Sequence, residues 1–223
     1  MRLAVTGPVW DTGDLFRIRA DPVVSSFDKH DFLIILGDCG VTAPRRPFRE
    51  ILEDYRKLPC TVLFLDGARD DYDLLADHPA YPWNGGLAQT LTRSVMRLCR
   101  GQVFMICGMK ILTMGGSTTE GRDDVGKYWD WWPEQDPSQD DVDTAVLNLG
   151  EWGGVADVVL SADCPSSWRK AVGKEGKTPA SEMLEQLKDR VDYKRWLFGG
   201  TDTPRDISGC NASAVGRTVV RLA

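Results

Sequence analysis

The stretch "VLFLDGARDDYDLL", residues 62–75, is an apolar run that empties into a loop holding Asp66, Asp70, Asp71 and Asp73, with Arg69 among them. Other apolar runs end in similar turns: "TGPVWDTGD" (6–14), "LGDCG" (36–40), "SADCP" (161–165) and "FGGTD" (198–202). Ligands of open α/β sheets collect where the strands finish at their carboxyl ends. An aspartate placed there without a cation is a partly buried, unpaired charge, which is costly. A guanidinium on the adjacent loop can supply positive charge and donate paired hydrogen bonds. The pattern therefore raises two expectations for Arg69: that its guanidinium neutralises Asp38 or a neighbouring carboxylate, or that it is a solvent-facing loop residue.

Strands must carry these turns, and the runs that precede them fit. "RLAVTG", "DFLIILGD", "CTVLFLDG", "QVFMICG", "KILTMGG", "DVVLSAD", "RWLFGG" and "TVVRL" are short, rich in Val, Ile, Leu and Phe, and bounded by Gly or polar turns, as strands buried on both faces are. The apolar runs on either side of "CGMK" (107–110) read as a hairpin. Helical spacing predicts a helix in "PFREILEDYRKL", opened by Pro47, with Phe48, Ile51, Leu52, Tyr55 and Leu58 inward. It predicts another in "TPASEMLEQLKDRV", capped by Thr178, with Met183, Leu184, Leu187 and Val191 as its stripe. "EQDPSQDDVD" (134–143) reads as a solvated loop leading into a helix, and "GKEGKT" (173–178) as a mobile one.

Alternating strands and helices over 223 residues, with no repeat or compositional break, imply one α/β domain spanning 1–223. No apolar run reaches the roughly 18 residues a membrane span needs, and the net charge of −6 with dispersed basic residues argues against nucleic acid. Six cysteines without C-x-x-C spacing read as reduced thiols, which points to a cytoplasmic protein. Only His30 and His78 are available for imidazole chemistry. There is no G-x-S-x-G, and the glycine-rich "GGSTTEGR" lacks the Lys-Ser/Thr ending of a phosphate loop.

In order and spacing the turns, together with "GGSTTEGR", "WWPEQDPS" and "KRWLFGGTD", resemble the calcineurin-like metallophosphoesterases over nearly the whole chain. That family carries D-x-H, G-D, G-N-H-[DE], a later histidine and G-H-x-H. The resemblance implies a sandwich of two mixed β-sheets flanked by α-helices, and a reaction in which two bridged metal ions polarise a phosphoryl group and activate water. This sequence departs from the motifs that hold the ions. Asp38 matches the bridging aspartate, and Asp70 the acidic residue that closes the third motif. The metal-binding asparagine is Ala68, the histidine beside it Arg69, the later histidine Ala162, and the last two histidines Gly200 and Asp202. The first motif is matched either by Pro8 and Trp10 or, with a gap, by Asp11; neither reading keeps its histidine.

Alanine and glycine have no donor atom and arginine does not deprotonate to become a ligand, so the sequence argues against a two-metal centre. The expectation is a vestigial site made of Asp38, Arg69, Asp70, Asp202, Trp10 and Asp11, without a catalytic residue or cofactor, in a binding or regulatory module. Its occupant would be an unidentified protein partner or a small anionic ligand held by Arg69. The alternative is a residual phosphoesterase using a single Mg²⁺, Mn²⁺ or Ca²⁺ on Asp38, Asp202 and Asp11, a thin donor set for such an ion. Trp10 would plug the space of the lost metals. Trp129, Trp131 and Trp132 would pack at the rim or form an exposed aromatic platform.

Overall fold

The computed structural model describes residues 1–40, 48–122, 126 and 131–223; Pro47 and Trp129 lie outside the described residues. The central strands of the first sheet are β1 (Leu3–Thr6), β2 (Phe32–Leu36), β3 (Thr61–Leu65) and β6 (Val95–Leu98), which run parallel. Antiparallel β4 (Ala80–Trp83) and β5 (Gly86–Thr92) extend one edge, and β13 (Val219–Arg221) the other. The second sheet repeats this plan. Parallel β8 (Met109–Met114), β9 (Val155–Ser161), β10 (Asp192–Phe198) and β12 (Ala212–Ala214) are flanked by antiparallel β7 (Gln102–Ile106) and β11 (Arg205–Ile207).

The double-sided burial expected of the apolar runs explains the layering. In β2, Leu33 and Ile35 join a core beneath helices, while Ile34 and Leu36 join the core between the sheets. In β10, Trp196 and Phe198 face the opposite helical layer while Leu197 faces the middle. The first sheet is covered by α1 (Thr12–Ala20), α2 (Pro22–Ser25), α3 (Phe48–Arg56) and α4 (Tyr72–Ala76). The second is covered by α5 (Gln139–Glu151) and α6 (Pro179–Lys188). The fold is thus α/β, two mixed sheets flanked by helices. Among the described residues no helix is long and apolar enough to cross a membrane.

Both expected helices form. Ile51, Leu52, Tyr55 and Leu58 are buried on or just past α3. Thr178 caps α6 by accepting the Ser181 N–H, with Pro179 first inside, and Leu184, Leu187 and Val191 are buried. The hairpin at 107–110 turns through Cys107 and Gly108, both at positive φ, the geometry of a tight two-residue turn. The acidic stretch 134–143 is only partly a loop. Ser138 and Asp141 form a capping box, and α5 begins inside the stretch at Gln139. The segment 173–178 is tied down: the Lys174 ammonium bonds Asp163, and Arg169 donates to the carbonyls of Glu175 and Gly176.

Candidate functional site

The carboxyl ends of the two sheets' parallel strands meet at one end of the molecule. A Cβ on Gly199, just past β10, would stand 1.9 Å from the Leu36 carbonyl of β2, and one on Gly37 would stand 2.9 Å from the Ala162 Cβ. Only glycines allow this approach. Into the junction project Asp38 after β2, Asp66 after β3 and Asp163 after β9, all buried.

Asp38 sits at φ 46°, a left-handed conformation that Asp tolerates better than most residues. One carboxylate oxygen accepts the Arg69 backbone N–H at 2.7 Å. A Cβ on Gly67 would lie 2.5 Å from both the Asp38 nitrogen and that oxygen, so the first glycine of "GARD" clears the space for the carboxylate. Burial pushes the Asp38 carboxyl up to about 6; Asp66 and Asp163 add to the rise, while the Arg69 N–H and guanidinium oppose it. Asp70 is buried too, and accepts the Gly67 N–H at 2.7 Å, closing the loop on itself.

The Arg69 side chain does something other than the paired bonding expected of it. It is exposed, lies 4.5 Å above the Trp10 ring, and among the described residues makes no hydrogen bond or ion pair to a carboxylate. Its backbone, not its guanidinium, holds Asp38. The guanidinium acts on Asp38 only through its field, and the cations that bond Asp66 and Asp163 come from elsewhere. Asp66 is bonded by Arg97 and Arg100, with Tyr72 donating at 2.9 Å; burial would raise its pKa, but the two guanidiniums hold it well below the ordinary carboxylate range. Asp163 takes the Lys174 ammonium at 2.8 Å, the Ser117 hydroxyl at 3.3 Å, and stands 3.7 Å from Arg169.

Asp11 and Asp202 are not gathered around Asp38. Asp11 is the N-cap of α1, accepting the Asp14 N–H at 3.0 Å, and both Asp11 and Asp202 are exposed. They share the field of Arg217 with Asp14, the buried carboxylate of that turn, which accepts bonds from Arg217 and from the Trp10 N–H. Burial opposes ionisation of Asp14, but the Trp10 N–H and Arg217 prevail and lower its pKa. Trp10 is half-buried under Arg69. Trp132 is buried and donates to Asp73, whereas Trp131 is half-buried beneath Arg122, so both rings pack against neighbouring side chains.

At the positions where the resembling motifs carry metal ligands, this chain places small residues. Ala68, Ala162 and Gly200 offer no side-chain donor. A Cβ on Gly200, at φ 71°, would come within 3.0 Å of the Lys174 Nζ, so a fixed ammonium stands beside the place from which a histidine would reach inward. Among the described residues no group of three or more His, Cys, Asp or Glu side chains is placed to hold an ion. Sequence reasoning missed Lys174, Arg97, Arg100 and Arg217. Arg97 and Arg100 flank the end of an unforeseen strand, and Arg217 pairs across 203 positions.

No family model matches the chain, and no curated protein does. Among solved structures it is similar to a phosphopantetheinyl hydrolase from Mycobacterium tuberculosis, at 13% identity and a TM-score of 0.42, over 96% of this chain and 89% of that one.

Proposed function

We propose that the chain is a catalytically degenerate scaffold of metallophosphoesterase type, serving in the cytosol as a binding or regulatory module. One observation carries the reading: the buried carboxylates beside the positions where the resembling motifs carry metal ligands are already paired with fixed cations of the chain's own. Lys174 and Arg169 serve Asp163, Arg97 and Arg100 serve Asp66, and Arg217 serves Asp14. An ion drawing on Asp66 or Asp163 would have to displace bonded ammonium and guanidinium groups, and Asp38 by itself is a thin donor set for a divalent ion. The test is hydrolysis of generic phosphomonoesters and phosphodiesters with Mn²⁺, Mg²⁺ or Ca²⁺. No metal-dependent turnover is expected. Turnover abolished by Asp38→Ala would establish the residual single-ion enzyme instead.

A second reading has its own support. Arg69 carries an exposed positive charge, stacked on Trp10 and without a carboxylate partner among the described residues, at the mouth of the strand-end junction. A small anion held by this guanidinium and the loop amides would make the module a ligand sensor. Because a ligand that binds only the folded state raises the melting temperature, phosphate, sulfate or a nucleotide should do so in the native chain and not in Arg69→Ala. Identical shifts in both proteins would dismiss it.

A further inference from the structure

A cavity of about 420 Å³ opens at the opposite end of the sandwich, among the amino ends of the parallel strands. It falls within the range of small-molecule pockets, about 300–1,000 Å³. Phe32 and Thr61 line it from the first positions of β2 and β3, Met96 from β6, and Met105 from β7. Trp83 forms its aromatic wall, edge-on to Phe32 at 5.8 Å and tilted against Phe104 at 5.9 Å. Met105 is 37% exposed, an apolar side chain left open to water at the rim.

The charge of the lining has one sign. Lys29 and Arg93 contribute cations, and no carboxylate lines the cavity among the described residues, although the chain as a whole carries −6. The nearby acids are consumed elsewhere: Asp31 is bonded by Arg2 through its guanidinium and backbone N–H, and Asp28 accepts the His30 N–H. The Lys29 ammonium is held by the Leu58 and Arg56 carbonyls, which fix its position without cancelling its charge. Arg93, on the turn between β5 and β6, is exposed and pairs with no carboxylate among the described residues.

We infer that this cavity is a binding site for a small planar aromatic ring bearing one anionic group. The ring packs on Trp83, Phe32 and the polarizable methionines, and the anionic group meets Arg93. The site is independent of the strand-end junction and of the function proposed for it. The probe is 8-anilinonaphthalene-1-sulfonate, read by its fluorescence, with neutral N-phenyl-1-naphthylamine as its uncharged counterpart and benzoate as competitor. Expected are saturable sulfonate binding displaced by benzoate, at least tenfold weaker affinity in Arg93→Glu and Trp83→Ala, and an unchanged circular-dichroism spectrum for Arg93→Glu. Equal affinity for the neutral probe, or full affinity retained in Arg93→Glu, would overturn the inference. So would loss of binding in Arg69→Glu, which would place the ligand at the other end.

Discussion

Asp38 keeps its charge at a cost to stability. Its folded-state pKa lies above the ordinary aspartate value, so between about pH 4 and about pH 6 the folded chain holds a proton that the unfolded chain has released. Stability falls as pH rises through that window, and the cost is complete above it. At about 1.4 kcal/mol per pH unit it amounts to roughly 2–3 kcal/mol. Asparagine tolerates the same left-handed backbone and can still accept the Arg69 N–H, without a charge to bury. Asp38→Asn is therefore expected to raise the urea-unfolding free energy by about 2 kcal/mol at pH 8 and to lose that advantage near pH 3.5. A variant less stable than the native chain at pH 8 would show that the ionised carboxylate is held by more than Arg69. The neighbouring glycine gives the opposite kind of prediction. A methyl on Gly67 would strike the Asp38 nitrogen and carboxylate oxygen at 2.5 Å, so Gly67→Ala should cost about 2–3 kcal/mol, seen as a lower melting temperature. An unchanged melt would mean that the two loops are farther apart than described.

The loops and strand ends act as carriers of compensating charge, and this decides what was legible in advance. Strands β1, β2, β3, β8, β9 and β10 were readable because each buries both faces, leaving a run of apolar residues with no alternative use. Strands β4, β5 and β6 were not, since Tyr81 and Leu87 are exposed on them and Gln89, Arg97, Thr90 and Thr92 interrupt the pattern. The "DTGD" turn resembles a metal motif in sequence. Only α1, whose Phe16 is 71% exposed and whose apolar spacing is correspondingly poor, shows that Asp11 is a cap. The segment 173–178 looked mobile because Gly and Lys carry no periodic signal, while the long side chain of Lys174 ties it to Asp163. At this scale Lys174→Met is the informative change. It removes a charge-assisted hydrogen bond from a carboxylate that is 2% exposed, and should cost about 2 kcal/mol in chemical denaturation while making 173–178 a preferred site of limited proteolysis. If stability and the cleavage pattern both stay as in the native chain, Arg169 alone suffices to hold Asp163.

At the scale of the whole molecule, the two sheets are joined through an apolar layer to which both contribute. Leu3, Val5, Ile34, Leu36, Leu63 and Leu65 enter it from the first sheet; Phe104, Ile106, Ile111, Val158, Leu160 and Leu197 enter it from the second. Polar links reinforce it at the junction, where the Asp66 carbonyl accepts the Gly116 N–H from the loop after β8. Neither sheet can leave the other without exposing this layer, which argues that the described halves unfold together even though a chain of 223 residues is longer than the usual two-state domain. Phe104 tests the coupling best, since it is buried on β7 and packs against Trp83 of the first sheet. Truncation in Phe104→Ala should cost about 3–5 kcal/mol. The loss should appear as one earlier transition, with the environment of Trp83 in the first sheet and that of Trp196 in the second changing at the same urea concentration when each indole carries a fluorine label. A label at Trp196 that stays native after the one at Trp83 has shifted would divide the chain into two separately folding units and overturn the assignment of residues 1–223 to one domain.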